Sequence, residues 1–280
     1  MNAAPIPKLA GVCGWPIHHS LSPQLHTYWL QRTGITGAYV PFLVRPDRAV
    51  DAFRSLVKTS IVGVNVTLPL KRLAYEAADA RTEDAQHLGV ANVLYKRGGQ
   101  LIAHNTDREG FAAPLIERIP PERLRHCTAV VFGAGGAARA VLGALVALGV
   151  PEIRLCARRE EAARALADDF ALPSLYVTDW AARDTVVRGA ALIVNATSGG
   201  MAGKPPLDVS LAKADAGALA YDLIYTPRMT PFLADAKAHG LETLDGLAML
   251  IGQARPAFRI FYGQNPDPAA DPEPLLERLL

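Results

Sequence analysis

The 280-residue sequence predicts an α/β protein built from two successive units, each a sheet flanked by helices. Three observations lead there. Short apolar runs of strand length alternate with stretches of helical period along nearly the whole chain. A glycine turn, GAGGAA at 133–138, stands between an apolar run and an Ala-rich helical stretch. Pro114, Pro120 and Pro121 cluster near the middle, which places the break between the units within residues 106–125.

The elements follow in order. KLAGVCG, bounded by Pro7 and Pro16, is short, small and apolar, and predicts a first strand. The loop GWPIHHSLSPQLH leaves its carboxyl end and runs into the helical stretch SPQLHTYWLQRTG. Ser22 there reads as an N-cap with Pro23 at the first helical position. Ser20 and Ser22 also stand at the strand edge where parallel α/β sheets take their ligands, so both readings stay open. AYVPFLV and GVNVTLP predict two more strands. In the second, Asn65 and Thr67 alternate with Val64 and Val66 and so face the opposite side, toward a polar surface or a cleft. NVLYKRGGQLIAHNTD reads as a hairpin turning at Gly98–Gly99. GVNVTLPLK, GVANV and HNTDREG repeat the mixture of polar residues at strand ends, although Lys71 alone reads equally as a solvated lysine and Asp107 as a cap for the next helix.

DREGFAAPLIERIP predicts the connecting helix, and TAVVF, EIRLCAR, ALIVNAT and ALAYDLIY predict buried strands separated by helices. GLAMLIGQARPAFRIFYG is a long periodic helix in which Pro256 is expected to cause a bend or opening, since it lacks an N–H and crowds the Gly252 carbonyl. The following NPDPAADPEP is expected to be loose.

Composition narrows the function. Net charge is +2, with 29 basic and 27 acidic residues spread along the chain, so nothing argues for nucleic acid or an anionic membrane as partner. Cys13, Cys127 and Cys156 lack paired metal-ligand spacing and read as reduced core thiols, so no metal and no disulfide are expected. The opening residues lack a signal-peptide layout and no apolar run reaches membrane-spanning length, which predicts a cytoplasmic protein.

Gly133, Gly135 and Ala138 form G-x-G-x-x-A directly after a strand and at the start of a helix, the context of a Rossmann-type dinucleotide fingerprint. Glycines there let the backbone approach a pyrophosphate at a helix N-terminus. The second strand of this unit ends in Arg158 and Arg159 where an acidic residue would hold the ribose hydroxyl of NAD. An arginine pair suits a 2′-phosphate, so NADP is the expected cofactor. The alternative is two solvated arginines paired with Glu160 or Glu161.

Taken together, GWPIHHSLSPQLH, GVNVTLPLK, HNTD, GAGGAARA, NATSGGM, YDLIYTPRMTPFL and DGLAMLIGQA resemble the shikimate dehydrogenase family in order and spacing over nearly the whole chain. The resemblance implies an N-terminal substrate domain over residues 1–105, a Rossmann-type NADP domain over 106–245, and a last helix, within 246–280, that packs back on the first domain. It implies reversible NADPH-dependent reduction of 3-dehydroshikimate to shikimate, with Lys71 and Asp107 catalytic. Ser20 and Ser22 match residues that hold the substrate carboxylate, with Tyr225 and Gln253 nearby. Thr67, Asn92 and Asp107 match contacts to the ring hydroxyls. Gly133, Ala134, Gly135, Gly136, Ala137, Arg158 and Arg159 match the cofactor segment, and Leu223 and Gly246 match positions at the nicotinamide end. The partner is then a small molecule, and the assembly a monomer or homodimer. This chain departs from the family pattern at Ala157 and Arg159, where Asn and Thr are common, at Val93 for Thr, and at Ala248 for Gly. A quinate/shikimate dehydrogenase with relaxed cofactor use and a non-catalytic sensor of a shikimate-like ligand are the other readings. Ser22, where a threonine would better suit quinate, argues against the first, and the presence of both Lys71 and Asp107 against the second.

Overall fold

A computed structural model describes residues 6–280 and divides them into two compact units, one of residues 6–106 and 251–279, the other of residues 107–250 with Leu280. In the first unit the chain runs β1 (Lys8–Gly14), α1 (Ser22–Thr33), β2 (Gly37–Leu43), α2 (Ala49–Ser55), β3 (Ile61–Val66), α3 (Lys71–Ala77), β4 (Ala80–Arg81), α4 (Glu83–Leu88), β5 (Val93–Arg97) and β6 (Gln100–His104). The sheet has the order β2-β1-β3-β5-β6-β4. Strands β2, β1 and β3 are parallel, and β5 returns antiparallel between β3 and β6. The hairpin turn sits at Gly98 and Gly99, both with positive φ (58° and 80°), which is the backbone that a tight two-residue turn demands.

One face of this sheet is apolar. Cys13, Val64 and Val66 pack there with Phe53 of α2, Leu70 and Ala74 of α3. The opposite face carries a cluster of rings that draws the C-terminal residues onto this unit. Tyr262 donates to the Ala38 carbonyl at 3.1 Å, and its own carbonyl accepts from Lys8 Nζ at 2.5 Å. A Cβ at Gly63 would meet the Phe261 ring at 2.7 Å, so only glycine admits that ring against the strand.

The second unit holds α5 (Asp107–Arg118), α6 (Pro121–Leu124), β7 (Thr128–Phe132), α7 (Gly136–Ala147), β8 (Glu152–Cys156), α8 (Glu160–Phe170), β9 (Leu175–Thr178), β10 (Ala190–Asn195), β11 (Leu219–Asp222), α9 (Pro231–Ala238) and β12 (Glu242–Leu244). Its sheet, β12-β11-β10-β7-β8-β9, is parallel throughout. Chain order reverses between β7 and β10, and ligands of open α/β sheets bind at such a switch point. β7, β10 and β11 are buried on both faces, which is why they read as unbroken apolar runs. β9 and β12 were not among the expected strands, being four and three residues long at the sheet's two edges.

The chain ends with α10 (Gly246–Tyr262) and α11 (Glu273–Glu277). Two local expectations are corrected. Ser22 is not the N-cap of α1: Leu21 takes that place in the α conformation, no side chain caps the helix, and the Ser22 N–H instead donates to Ser20 Oγ at 3.3 Å. Helix α10 continues through Pro256 to Tyr262. The Pro- and Asp-rich stretch is tied down, with Ala270 buried and its carbonyl accepting from the Trp29 indole at 3.3 Å.

Candidate active site

In the first unit the polar residues singled out along the sequence collect at one sheet edge. Ser20 and Ser22 follow β1, and Thr67 follows β3, at the carboxyl ends of parallel strands. Asn92 enters β5 and Thr106 leaves β6, which the antiparallel pairing brings to the same edge. The Thr67 N–H donates to the Cys13 carbonyl at 2.9 Å, and a Cβ at Gly14 would lie 2.8 Å from the Thr67 methyl, so the loops after β1 and β3 pass in close contact. Lys71 opens α3, and its carbonyl accepts from the Ala91 N–H at 3.0 Å, which joins the catalytic candidate's backbone to the segment before Asn92.

A buried hydrogen-bonded chain links these loops. Ser22, only 6% exposed, lies beside the Tyr39 phenol and partly offsets the effect of burial on it. Tyr39 donates to Asn65 Oδ1 at 2.7 Å, and Asn65 Nδ2 donates to the Asn92 carbonyl at 3.2 Å. Asn92 Oδ1 accepts from the Thr106 N–H at 2.8 Å, while its Nδ2 donates to Thr106 Oγ1 at 2.9 Å and to Gln253 Oε1 at 3.4 Å. Such a network fixes hydroxyls and amides in one orientation. Desolvation by burial pushes the Tyr39 phenol well above its ordinary range, so it stays a neutral donor. Tyr39 and Thr106 were absent from the sequence-derived candidates, and Asn65 was noted only for its face. The signal available was a polar residue inside an apolar strand run, VNV and AYV.

In the second unit Asp107 is the first residue of α5 and is 5% exposed. The glycine turn joins β7 to α7. Gly133 has φ +112°, and a Cβ there would meet the Ala196 carbonyl oxygen at 3.0 Å and Thr197 at 2.9 Å, so both conformation and packing demand glycine. Gly135 and Gly136 differ: a Cβ at either would meet nothing within 4 Å. Protein packing therefore does not explain their lack of a side chain, whereas a ligand seated on the turn would. Gly135 is the N-cap of the twelve-residue α7 and no side chain caps it, which leaves the helix N-terminus to an anion such as a pyrophosphate. The residues present thus fit a dinucleotide.

Arg158 and Arg159 follow β8 and are exposed, and among the described residues neither forms an ion pair. Glu160, one of the two acidic residues that a merely solvated pair would use, is held by Arg164 Nε at 2.9 Å. A cavity at the start of α8 is lined by Arg159, Glu160, Glu161, Ala162 and Arg164. Leu223 and Gly246 lie together: a Cβ on Gly246 would come within 2.2 Å of the Leu223 carbonyl oxygen. Tyr225 is half-buried on the loop after β11.

Comparison with known proteins agrees in extent. Residues 12–94 match the family model for the shikimate dehydrogenase substrate binding domain. A protein of Paracoccus denitrificans named shikimate dehydrogenase (NADP(+)) is 44% identical over 271 residues, 95% of this chain and 96% of the relative. A crystal structure of a shikimate dehydrogenase in complex with NADP+ superposes with a TM-score of 0.90 at 31% identity, covering 98% of this chain and 96% of that one. The enzyme from Thermus thermophilus in complex with NADP(H) and shikimate superposes with a TM-score of 0.85 at 34% identity, over 98% of this chain and all of that one.

Proposed function

This chain belongs to the shikimate dehydrogenase family, and we propose that it catalyses the reversible NADPH-dependent reduction of 3-dehydroshikimate to shikimate. The observation that carries this reading is the near-full-length identity to relatives of that name. The hydrogen-bonded polar edge of the first unit and the uncapped glycine turn of the second support it.

Gly133, Ala134, Gly135, Gly136 and Ala137 would hold the cofactor's pyrophosphate, Arg158 and Arg159 its 2′-phosphate, and Leu223 and Gly246 would flank its nicotinamide. When bound, it supplies the hydride that reduces the ring carbonyl. Lys71, as an ammonium, donates a proton from Nζ to the developing alkoxide, and the neutral amine accepts it in the reverse direction. Asp107 is the second catalytic group of this reading. Ser20, Ser22, Tyr225 and Gln253 orient the carboxylate with neutral donors and place no fixed cation near the hydride path. Thr67 and Asn92 bind the ring hydroxyls, and Asn92 is aligned for this by its bonds to Thr106. No helix among the described residues is long and apolar enough to cross a membrane, and a cytoplasmic enzyme, monomeric or homodimeric, completes the proposal.

Steady-state oxidation of shikimate and of quinate, each with NADP+ and with NAD+, tests it. Shikimate with NADP+ should be the preferred pair. A preference for quinate would move the chain to the quinate/shikimate branch, and ligand binding without turnover would make it a sensor.

A further inference from the structure

Asp222 ends β11 and has no exposed surface. Its Oδ1 accepts from Asn195 Nδ2 at 3.1 Å and from the Ile224 N–H at 3.0 Å, and its Oδ2 accepts from the Thr230 hydroxyl at 2.6 Å. All three donors are neutral, and no ion pair among the described residues engages the carboxylate. This hub braces the carboxyl edge of the second sheet. Asn195 in turn receives the N–H and hydroxyl of Thr197 and donates to the Gly199 carbonyl, and Thr230 caps α9.

Bracing alone does not call for a charge. An asparagine could accept from Asn195 and Ile224 with its oxygen and donate to Thr230 with its nitrogen. A buried carboxylate without a counter-ion is costly to keep, and burial raises this one to about 6. The position of the charge supplies its use. Asp222 directly precedes Leu223, whose N–H is held by the Asn195 carbonyl at 3.1 Å and whose own carbonyl presses on Gly246.

We propose that Asp222 is a specificity-determining charge that makes the site favour the oxidised over the reduced cofactor. The inference rests on the proposed function. A nicotinamide ring is cationic in NADP+ and neutral in NADPH, so a fixed anion beside Leu223 and Gly246 discriminates between them while the rest of the molecule, common to both, cancels. The charged groups about Asp222 leave this role to it. Asp245, at the β12–α10 junction, raises the Asp222 pKa and is itself bonded by two guanidinium nitrogens of Arg228 from the loop after β11. β10 and α9 present the neutral Asn195 and Thr230, and Tyr221 on β11 is a phenol kept neutral by burial.

The experiment is calorimetric titration of the full-length protein, without substrate, with NADP+ and with NADPH at pH 7.5 and 5.5, for wild type and Asp222→Asn. In the wild type the affinity for NADP+ relative to NADPH should fall about three- to tenfold at the lower pH, as the carboxylate takes up a proton. The 2′-phosphate titrates in the same range but belongs to both ligands and leaves the ratio unchanged. Asp222→Asn should show the lower ratio at both pH values. A wild-type ratio that does not move with pH, or a variant that weakens both cofactors alike, would overturn the proposal and leave Asp222 a brace. The wild-type measurement decides even if the variant does not fold. Failure of the wild type to bind either cofactor would overturn the proposed function as well.

Discussion

Acid should destabilise this protein through His26, and the size of the effect follows from its surroundings. His26 lies on α1 with no exposed surface, stacked on Tyr39 at 3.9 Å between ring centroids and packed against Trp29 and Phe258. Neither ring nitrogen has a hydrogen-bond partner. Desolvation by burial therefore lowers its pKa from 6.5 to about 3, and the folded protein keeps the ring neutral. The sign follows. Between pH 6.5 and about 3 the unfolded chain binds a proton at this residue and the folded chain does not, so stability is full above pH 6.5 and falls as the pH drops. The whole gap corresponds to about 5 kcal/mol, reached only below pH 3. At pH 5 the loss is about 2 kcal/mol, governed by the unfolded value because the folded ring is still neutral there. Urea denaturation at pH 7.5 and 5 would measure it, with His26→Phe as the reference. Phenylalanine removes the titration but keeps an aromatic ring, and any cost of its larger volume is the same at both pH values. Wild type should lose about 2 kcal/mol more than the variant between the two conditions. Equal losses would show that His26 is reachable by water or by a partner in the folded state, and the reasoning from its burial would fail.

Three further outcomes are expected. Lys71→Ala should fold normally and lose about 10²–10⁴-fold in turnover with a nearly unchanged Michaelis constant for shikimate; near-normal turnover with a much larger constant would make Lys71 a binding residue. Replacing Arg158 and Arg159 together with alanine should raise the dissociation constant for NADP+ by about ten- to a hundredfold and leave that for NAD+ unchanged, and equal losses in a binding titration would refute the 2′-phosphate assignment. Gly246→Ala forces a methyl to within 2.2 Å of the Leu223 carbonyl oxygen, a backbone atom that cannot swing away. It should cost about 1–3 kcal/mol in stability, and a thermal midpoint equal to wild type would show that α10 shifts freely.

Much of the fold was legible because its signals are local. An apolar run of five residues between punctuating prolines and glycines can hardly be other than a buried strand, as TAVVF and KLAGV show, and Gly98–Gly99 announces a hairpin by backbone preference alone. β9 and β12 were missed because short edge strands bury little and carry little apolar signal. The Ser22 cap was misjudged for a different reason. Ser-Pro suits an N-cap in isolation, but Leu21 is buried and enters the helical conformation, so core packing moves the start of α1 back by a residue. The loose tail was misjudged likewise, since composition cannot reveal that the Trp29 indole needs the Ala270 carbonyl.

The sequence by itself determined which residue types stand at the strand ends: Ser20, Ser22, Thr67, Lys71, Asn92, Asp107 and the glycines at 133, 135 and 136 are all readable there, because chemistry-bearing residues in an apolar context need no partner to be noticed. Tertiary structure alone decided how they are held. Tyr39, Asn65 and Thr106 matter through hydrogen bonds that span up to 27 positions in the chain, and Asp222 through donors from Asn195 and Thr230 on other elements. A hydrogen bond is short in space and indifferent to distance along the sequence, so only the folded chain brings its two ends within about 3 Å.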